Sequence, residues 1–187
     1  MKHSEIVDRL VAEAERDLNV LGFLIFGSVA SGTQRADSDI DVITILQMSR
    51  PTSGINNTMM DGIKVGDLFL TFEILVHSVE TVPYLLHPLV DAKLLFDREG
   101  SVAPLLEKIR AYFADQPGLV EEWQGYYRLL KEEKAQFGYE KTTIVDVWNE
   151  LEKRYSGGKI RRRFFSAFYM SRPRIFAVLK RVLQAVG

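Results

Sequence analysis

Two aspartates, Asp39 and Asp41, begin an otherwise apolar segment that continues through Ile45. Because residues two apart on a strand project from the same face, their carboxylates would lie side by side, with Cα atoms about 7 Å apart. Adjacent carboxylates repel each other unless a cation neutralises them, and hard oxygen ligands suit Mg²⁺. The pair therefore predicts a site for one or two divalent cations, with Mg²⁺ expected first and Mn²⁺ second.

A Gly27-Ser28 pair follows a nearly continuous apolar run, Val20 to Phe26, which predicts a buried strand. Glycine lets the backbone approach a phosphate closely, and Ser28 offers a hydroxyl and an N–H group at the start of a helical turn. Phosphate donors and metal ligands would then share one edge of a sheet. Phosphoryl or nucleotidyl transfer needs this arrangement, since positioning and charge neutralisation do most of the catalysis.

A third carboxylate is expected on a neighbouring strand. Residues 68–76 alternate in polarity and predict a strand that directs Glu73 away from the face carrying Leu70 and Ile74. A carboxylate beside Asp39 and Asp41 would complete a two-ion clamp. Glu73 is the expected third ligand, and Asp67, which has the same strand parity, is the alternative.

The remaining pattern predicts the scaffold. An amphipathic helix over residues 4–18, with Ser4 as its N-cap, precedes the first strand, and the polar residues 47–62 predict an exposed loop that could close over a ligand. A short apolar patch covers residues 93–96. Helices are then expected over 104–113, 119–137, 144–155, 159–169 and 174–186. We expect an α+β fold with one domain over residues 1–100 and a helical domain over residues 101–187.

Composition limits the class of protein and its compartment. With 47% apolar residues in 187, the chain can bury a substantial core, and the absence of cysteine excludes thiolate metal sites. The N-terminus lacks the apolar stretch of a secretion signal, and no apolar run reaches the length of a membrane span. A soluble cytoplasmic protein without membrane contacts is expected.

Charge is distributed unevenly along the chain. From Lys153 to Gly187 there are ten Lys and Arg residues and no Asp or Glu, whereas residues 1–152 carry a net charge of −11. Such a basic segment folds back on the acidic body, meets an anion such as a triphosphate or nucleic acid, or forms a solvated basic helix face.

The stretch from Gly27 to Thr33, followed by Ser38-Asp39-Ile40-Asp41-Val42, resembles the signature of the DNA polymerase beta superfamily of nucleotidyltransferases, in its small, minimal form with a helical C-terminal region. The resemblance is strong over about residues 20–45 and extends weakly to Gly100. It implies a small mixed sheet flanked by helices and divalent metal on Asp39 and Asp41. It also implies transfer of a nucleoside monophosphate from a nucleoside triphosphate, with ATP expected, and release of pyrophosphate. Many members carry Arg where this chain has Ser31.

Three functions follow from these observations. The first is an enzyme that transfers a nucleoside monophosphate to a hydroxyl-bearing small molecule or protein. The second is a weakly active or inactive module that binds a nucleotide or a protein partner, as an antitoxin does. The third is an RNA-binding protein led by the basic segment 153–187. A third carboxylate shared with Asp39 and Asp41 would distinguish the first function from the second.

Overall fold

The structure, a computed structural model, describes residues 2–156. Its strands are β1 (Val20–Phe26), β2 (Ile40–Leu46), β3 (Ser53–Met60), β4 (Ile63–Thr71) and β5 (Lys93–Asp97). Its helices are α1 (Lys2–Arg16), α2 (Gly27–Ser31), α3 (Phe72–Thr81), α4 (Ala103–Ala114), α5 (Pro117–Phe137) and α6 (Ile144–Tyr155), with 3-10 turns at Pro83–Leu85 and His87–Leu89. This is the mixed α+β architecture expected of a nucleotidyltransferase fold.

The five strands form one sheet in the order β3-β4-β2-β1-β5. Strand β2 pairs antiparallel with β1 and parallel with β4, so the first residues of β2 adjoin the last residue of β1 and the first half of β4. Phe26 pairs with Asp41, and Asp41 in turn pairs with Gly66. The pairing register therefore decides which side chains surround Asp41.

Helix α1 covers one face of the sheet. Its fully buried Ile6 belongs to an apolar cluster with alternate residues of the central strands, including Phe23, Ile40, Val42 and Val65. Alternation along a strand sends these side chains to a single face, so burying them fixes the register of β1, β2 and β4.

The other face carries α3, and α4 and α5 continue this layer. Leu75 of α3 and Ile109 of α4 are buried, and Trp123 of α5 is fully buried with its indole N–H donating to the carbonyl of Tyr84 at 2.9 Å. His87 stacks on Trp123 at 5.5 Å between ring centroids. Helices α4 and α5 thus pack within the same unit as the sheet.

The strand predicted over residues 68–76 is confirmed for residues 68–71 and wrong for residues 72–76. Strand β4 ends at Thr71 and helix α3 begins at Phe72. The buried residues of α3 are Ile74, Leu75, Ser78 and Val79, which recur at helical spacing. Over so short a window an apolar run fits both a period of 2 and a period of 3.6 residues, and burial of this helical face decided between them.

The loop predicted over residues 47–62 is confirmed for residues 47–52 and wrong for residues 53–60, which form strand β3. Met60 pairs with Ile63 across Asp61-Gly62, and both turn residues have positive φ, 52° and 77°. Positive φ at both central positions is what a type I′ hairpin turn requires, and Asp-Gly is a strong sequence signal for it. The strand lies at the sheet edge, and its residues Ile55 and Met59 are exposed, as the polar composition had indicated.

Other elements agree closely with expectation. The predicted bounds of β1 and α6 are confirmed, and β2, α4 and α5 lie within two residues of their predicted positions. The apolar patch over residues 93–96, for which no element was predicted, lies in β5. Helix α1 begins at Lys2, so Ser4 lies inside it and is not its N-cap. The helices predicted over residues 159–169 and 174–186, and most of the basic segment, lie outside the described residues.

The chain divides into two compact units, Met1–Lys141 and Thr142–Gly187. This division differs from the predicted boundary near Gly100, since α4 and α5 pack with α3 and the 3-10 turns. Within residues 2–156, none of the helices has the length and apolar character required to span a membrane.

Candidate functional site

The turn after β1 lies directly against the carboxylate of Asp41. Phe26 and Asp41 are paired, so Gly27 follows immediately beside the aspartate. Gly27 has φ +70°, and a Cβ added to it would lie 2.9 Å from Asp41 Oδ2. Both the backbone conformation and the close approach require glycine here.

Hydrogen bonds within the turn hold its shape. The Ser31 hydroxyl lies 3.1 Å from the carbonyl oxygens of both Gly27 and Ser28, and 2.9 Å from Thr33 Oγ1. The Thr33 N–H donates to the Ser28 carbonyl at 2.9 Å. Ser31 therefore closes the turn on itself at the position where many members of the resembled superfamily carry Arg. Ser28 remains partly exposed at the start of α2.

Asp41 has a raised pKa. Burial is the main cause and the neighbouring Asp39 carboxylate the second, whereas Lys64 and Lys134 act in the opposite direction. The ionised carboxylate is thus disfavoured by its surroundings in the absence of a bound cation. A divalent cation bound beside Asp41 would therefore stabilise its ionised carboxylate.

Asp39 lies at the entrance to β2 and is more exposed. Lys64 Nζ donates to Asp39 Oδ2 at 3.1 Å, with about half of each side chain exposed, 50% for Lys64 and 47% for Asp39. His3 Nε2 lies 2.9 Å from the carbonyl oxygen of Ser38, which ties α1 to the residue before Asp39. The approach to the carboxylate pair is therefore anchored to the first helix.

Strand β4 places a glycine beside Asp41 on the carboxylate face. Gly66 is the paired residue, and an added Cβ there would lie 3.4 Å from Asp41 Oδ1. The next residue across the sheet is Asn57 of β3, which pairs with Gly66. The neighbours of Asp41 across β4 and β3 are thus a glycine and an asparagine, and neither bears a carboxylate.

Glu73 lies at the opposite end of the sheet from Asp41. In the parallel register Thr71 pairs with Leu46, five residues along β2 from Asp41, which is about 16 Å at roughly 3.3 Å per residue. Glu73 then follows in the first turn of α3 and lines a cavity of about 270 Å³ with Gln47. The structure does not bring Glu73 to the carboxylate pair.

Asp67 lies near Asp41 along the sheet but faces the other side. It pairs with Val42 and accepts a hydrogen bond from the Thr44 hydroxyl at 2.8 Å. Burial raises the pKa of Asp67, and the Thr44 hydrogen bond partly opposes that shift. Asp67 lines a cavity of about 440 Å³ on the α1 side of the sheet and is separated from Asp41 by the sheet itself.

The carboxylates present fit a single hard cation better than two. Mg²⁺ is commonly held by one or two carboxylates together with substrate phosphates, and Asp39 with Asp41 meets that requirement. Within residues 2–156 there is no group of three His, Cys, Asp or Glu residues arranged to hold a metal. A two-ion clamp needs further ligands, and neither predicted candidate supplies them.

Sequence reasoning missed Lys64, Gly66 and Lys134 at this site. The Asp61-Gly62 pair is a hairpin signal that predicts a strand beginning at Ile63. In such a strand Lys64 and Gly66 lie on the same face. No signal in the sequence identifies Lys134, which lies on a largely exposed helix and approaches Asp41 only in the folded chain.

The chain matches a known protein family and resembles a solved structure. Residues 4–164 match the model of the nucleotidyltransferase domain family. The structure is similar to the crystal structure of a nucleotidyltransferase-like protein from Exiguobacterium sibiricum 255-15, with a TM-score of 0.41 and 12% identity. The similarity covers 79% of this chain and 60% of that protein, so this chain spans less than two thirds of its length. The chain matches none of the curated proteins.

Proposed function

Because this chain belongs to the nucleotidyltransferase domain family, we propose that it binds a nucleoside triphosphate with Mg²⁺ and transfers the nucleoside monophosphate to a hydroxyl-bearing acceptor. The observation that carries the proposal is the contact between the Gly27 turn and Asp41. A Cβ on Gly27 would stand 2.9 Å from Asp41 Oδ2, so phosphate donors and metal-ligating carboxylate share one small space.

Each residue of the site has a defined task in this proposal. Asp39 and Asp41 hold the cation, and the Gly27-Ser28 turn directs its N–H groups and the Ser28 hydroxyl at the phosphates. When bound, the divalent ion neutralises triphosphate charge and stabilises the leaving pyrophosphate. ATP is the expected donor, and Mn²⁺ is the expected substitute for Mg²⁺.

The proposed reaction exchanges one phosphorus–oxygen bond for another. The acceptor hydroxyl oxygen bonds to the α-phosphorus, and the bond from that phosphorus to the bridging oxygen of the β-phosphate breaks. Pyrophosphate leaves with the bonding electrons, and the hydroxyl proton passes to solvent. A small molecule or a protein side chain would serve equally as acceptor, since the described residues favour neither.

Label transfer tests the proposal. The protein is incubated with Mg²⁺, a lysate of its host, and each nucleoside triphosphate labelled at the α-phosphate or, separately, at the γ-phosphate. Nucleotidyl transfer delivers the α label to an acceptor and releases the γ label in pyrophosphate. Asp41→Asn should abolish labelling, whereas Asp67→Asn, its matched control on the opposite face, should preserve it. Transfer of the γ label would identify a phosphoryl transferase and contradict the proposal.

One observation favours a second candidate, a module that binds the nucleotide without turning it over. Gly66 stands where a third carboxylate would adjoin Asp41. This candidate predicts Asp41-dependent binding of Mg²⁺ and nucleotide with no labelled product from any lysate. RNA binding by segment 153–187 stays a prediction, because that segment lies mostly outside the described residues.

A further inference from the structure

We propose that this site binds one divalent cation per nucleotide, and that the Lys64 ammonium supplies the positive charge on the β4 side of the carboxylate pair. The inference rests on the proposed function, because it concerns the same Asp39–Asp41 pair. Three observations carry it: the ion pair between Lys64 and Asp39, the glycine at position 66, and the orientation of Asp67.

The first observation is that β4 directs a cation, and no anion, at the pair. Lys64 and Gly66 are two apart on β4 and share the face that carries Asp41. Lys64 Nζ lies 3.1 Å from Asp39 Oδ2. A strand that contributed a ligand for a second metal would present a carboxylate at one of these two positions.

The second observation is the space at Gly66. An added Cβ would lie 3.4 Å from Asp41 Oδ1, so position 66 directly adjoins the metal-binding carboxylate. Gly66 does not have positive φ, so its backbone conformation does not itself require glycine. The missing carboxylate is therefore a consequence of residue type and not of strand geometry.

The third observation is that β4 does bear a carboxylate, but on the other face. Asp67 is engaged by the Thr44 hydroxyl at 2.8 Å on the α1 side of the sheet. Rotating it to the Asp41 face would require a shift of register by one residue, which would also expose the buried Val65 and Ile63. The register is fixed by that burial, so Asp67 does not become a metal ligand.

Equilibrium dialysis with Mn²⁺ and a non-hydrolysable ATP analogue tests the stoichiometry. We expect one Mn²⁺ and one nucleotide retained per wild-type chain. Gly66→Asp should retain two Mn²⁺ per nucleotide, and Gly66→Asn, which has the same size without the charge, should retain one. Retention of two Mn²⁺ per nucleotide by the wild type would overturn the inference. Equal numbers of retained Mn²⁺ in Gly66→Asp and Gly66→Asn, both with a wild-type-like fold, would also overturn it.

A separate measurement tests the role of Lys64. The affinity of the protein for Mn²⁺ without nucleotide is measured by electron paramagnetic resonance, which detects the free ion. An ammonium about 6 Å from a divalent ion weakens its binding about tenfold in a water-like dielectric. Lys64→Gln should therefore tighten Mn²⁺ binding by about tenfold, and Lys64→Arg should leave it unchanged. Equal affinity in wild type and Lys64→Gln would overturn the assignment.

Failure of this inference differs from failure of the proposed function. If Asp41→Asn leaves nucleotide and Mn²⁺ binding intact, the proposed function fails. If that binding depends on Asp41 but the Gly66 and Lys64 variants behave otherwise than expected, the function stands and the one-ion inference fails.

Discussion

Gly27 and Asp41 occupy complementary space: the carboxylate Oδ2 of Asp41 lies 2.9 Å from the point where any side chain at position 27 would begin. The antiparallel pairing of β1 and β2 creates this contact, since it sets Phe26 opposite Asp41. A residue with a side chain at position 27 would have to displace the aspartate or the turn. The turn proposed to bind phosphate and the proposed metal ligand are thereby coupled.

Gly27→Ala tests this coupling, with Gly32→Ala as its matched control. Gly27 and Gly32 have nearly equal positive φ, 70° and 73°, but no atom lies within 4 Å of a Cβ added at Gly32. Both variants should lose about 1–2 kcal/mol of unfolding free energy from the left-handed backbone. Only Gly27→Ala should lose nucleotide affinity, by tenfold or more, in calorimetric titration with Mg²⁺. Equal losses of affinity in the two variants would show that the contact with Asp41 is unimportant.

Asp41→Asn should separate stability from activity. Burial and repulsion from Asp39 both oppose ionised Asp41, so the neutral asparagine should leave the metal-free protein at least as stable as wild type. Label transfer should fall by about a hundredfold or more, the size of loss expected when one electrostatic contact is removed from an active site. Thermal unfolding in EDTA and the α-label assay measure the two effects. A marked drop in melting temperature would indicate that Asp41 serves the fold instead.

Glu73→Gln should change neither metal binding nor transfer. Thr71, two residues before Glu73, already lies about 16 Å along the sheet from Asp41 by strand register, well beyond the reach of a shared cation. Mn²⁺ affinity within twofold of wild type is expected, whereas Asp39→Asn, measured alongside, should weaken it strongly. Loss of Mn²⁺ binding in Glu73→Gln would restore the residue as the third ligand.

Asp67 should make the unfolding free energy depend on pH. Burial raises its pKa in the folded state, so the folded protein holds this proton more tightly than the unfolded chain does. Stability from this group is greatest below the unfolded pKa of about 3.9 and falls as pH rises through the folded pKa. Asp67→Asn remains neutral and keeps an oxygen for the Thr44 hydroxyl.

Urea unfolding of wild type and Asp67→Asn at pH values from about 3 to 7 measures this effect. The wild type should lose stability relative to the variant as pH rises. Asp41 shifts in the same direction but is common to both proteins, so its contribution cancels in the difference. If the difference in unfolding free energy between the two proteins stays constant with pH, or if the wild type gains stability relative to Asp67→Asn as pH rises, the raised pKa of Asp67 is contradicted.

The turn and the carboxylate pair can be located from the amino-acid sequence alone. Gly27-Ser28 follows the buried β1, and Asp39 and Asp41 begin β2, so local strand geometry alone puts both carboxylates on one face. Both motifs lie within residues 4–164, which match the nucleotidyltransferase domain family. Short-range patterns sufficed because each motif lies within one strand and its adjoining turn.

The residues that surround the pair, by contrast, depend on how the strands pair in the folded chain. The neighbour of Asp41 on β4 depends on the register between two parallel strands that are separated along the chain by β3. A shift of one residue would exchange Gly66 for Asp67. Burial of Val42 and Val65 on the α1 side selects the register that leaves glycine and Lys64 with the carboxylates. Glu73 was misplaced for a related reason, since a buried helical face and not its local alternation set the structure of residues 72–81.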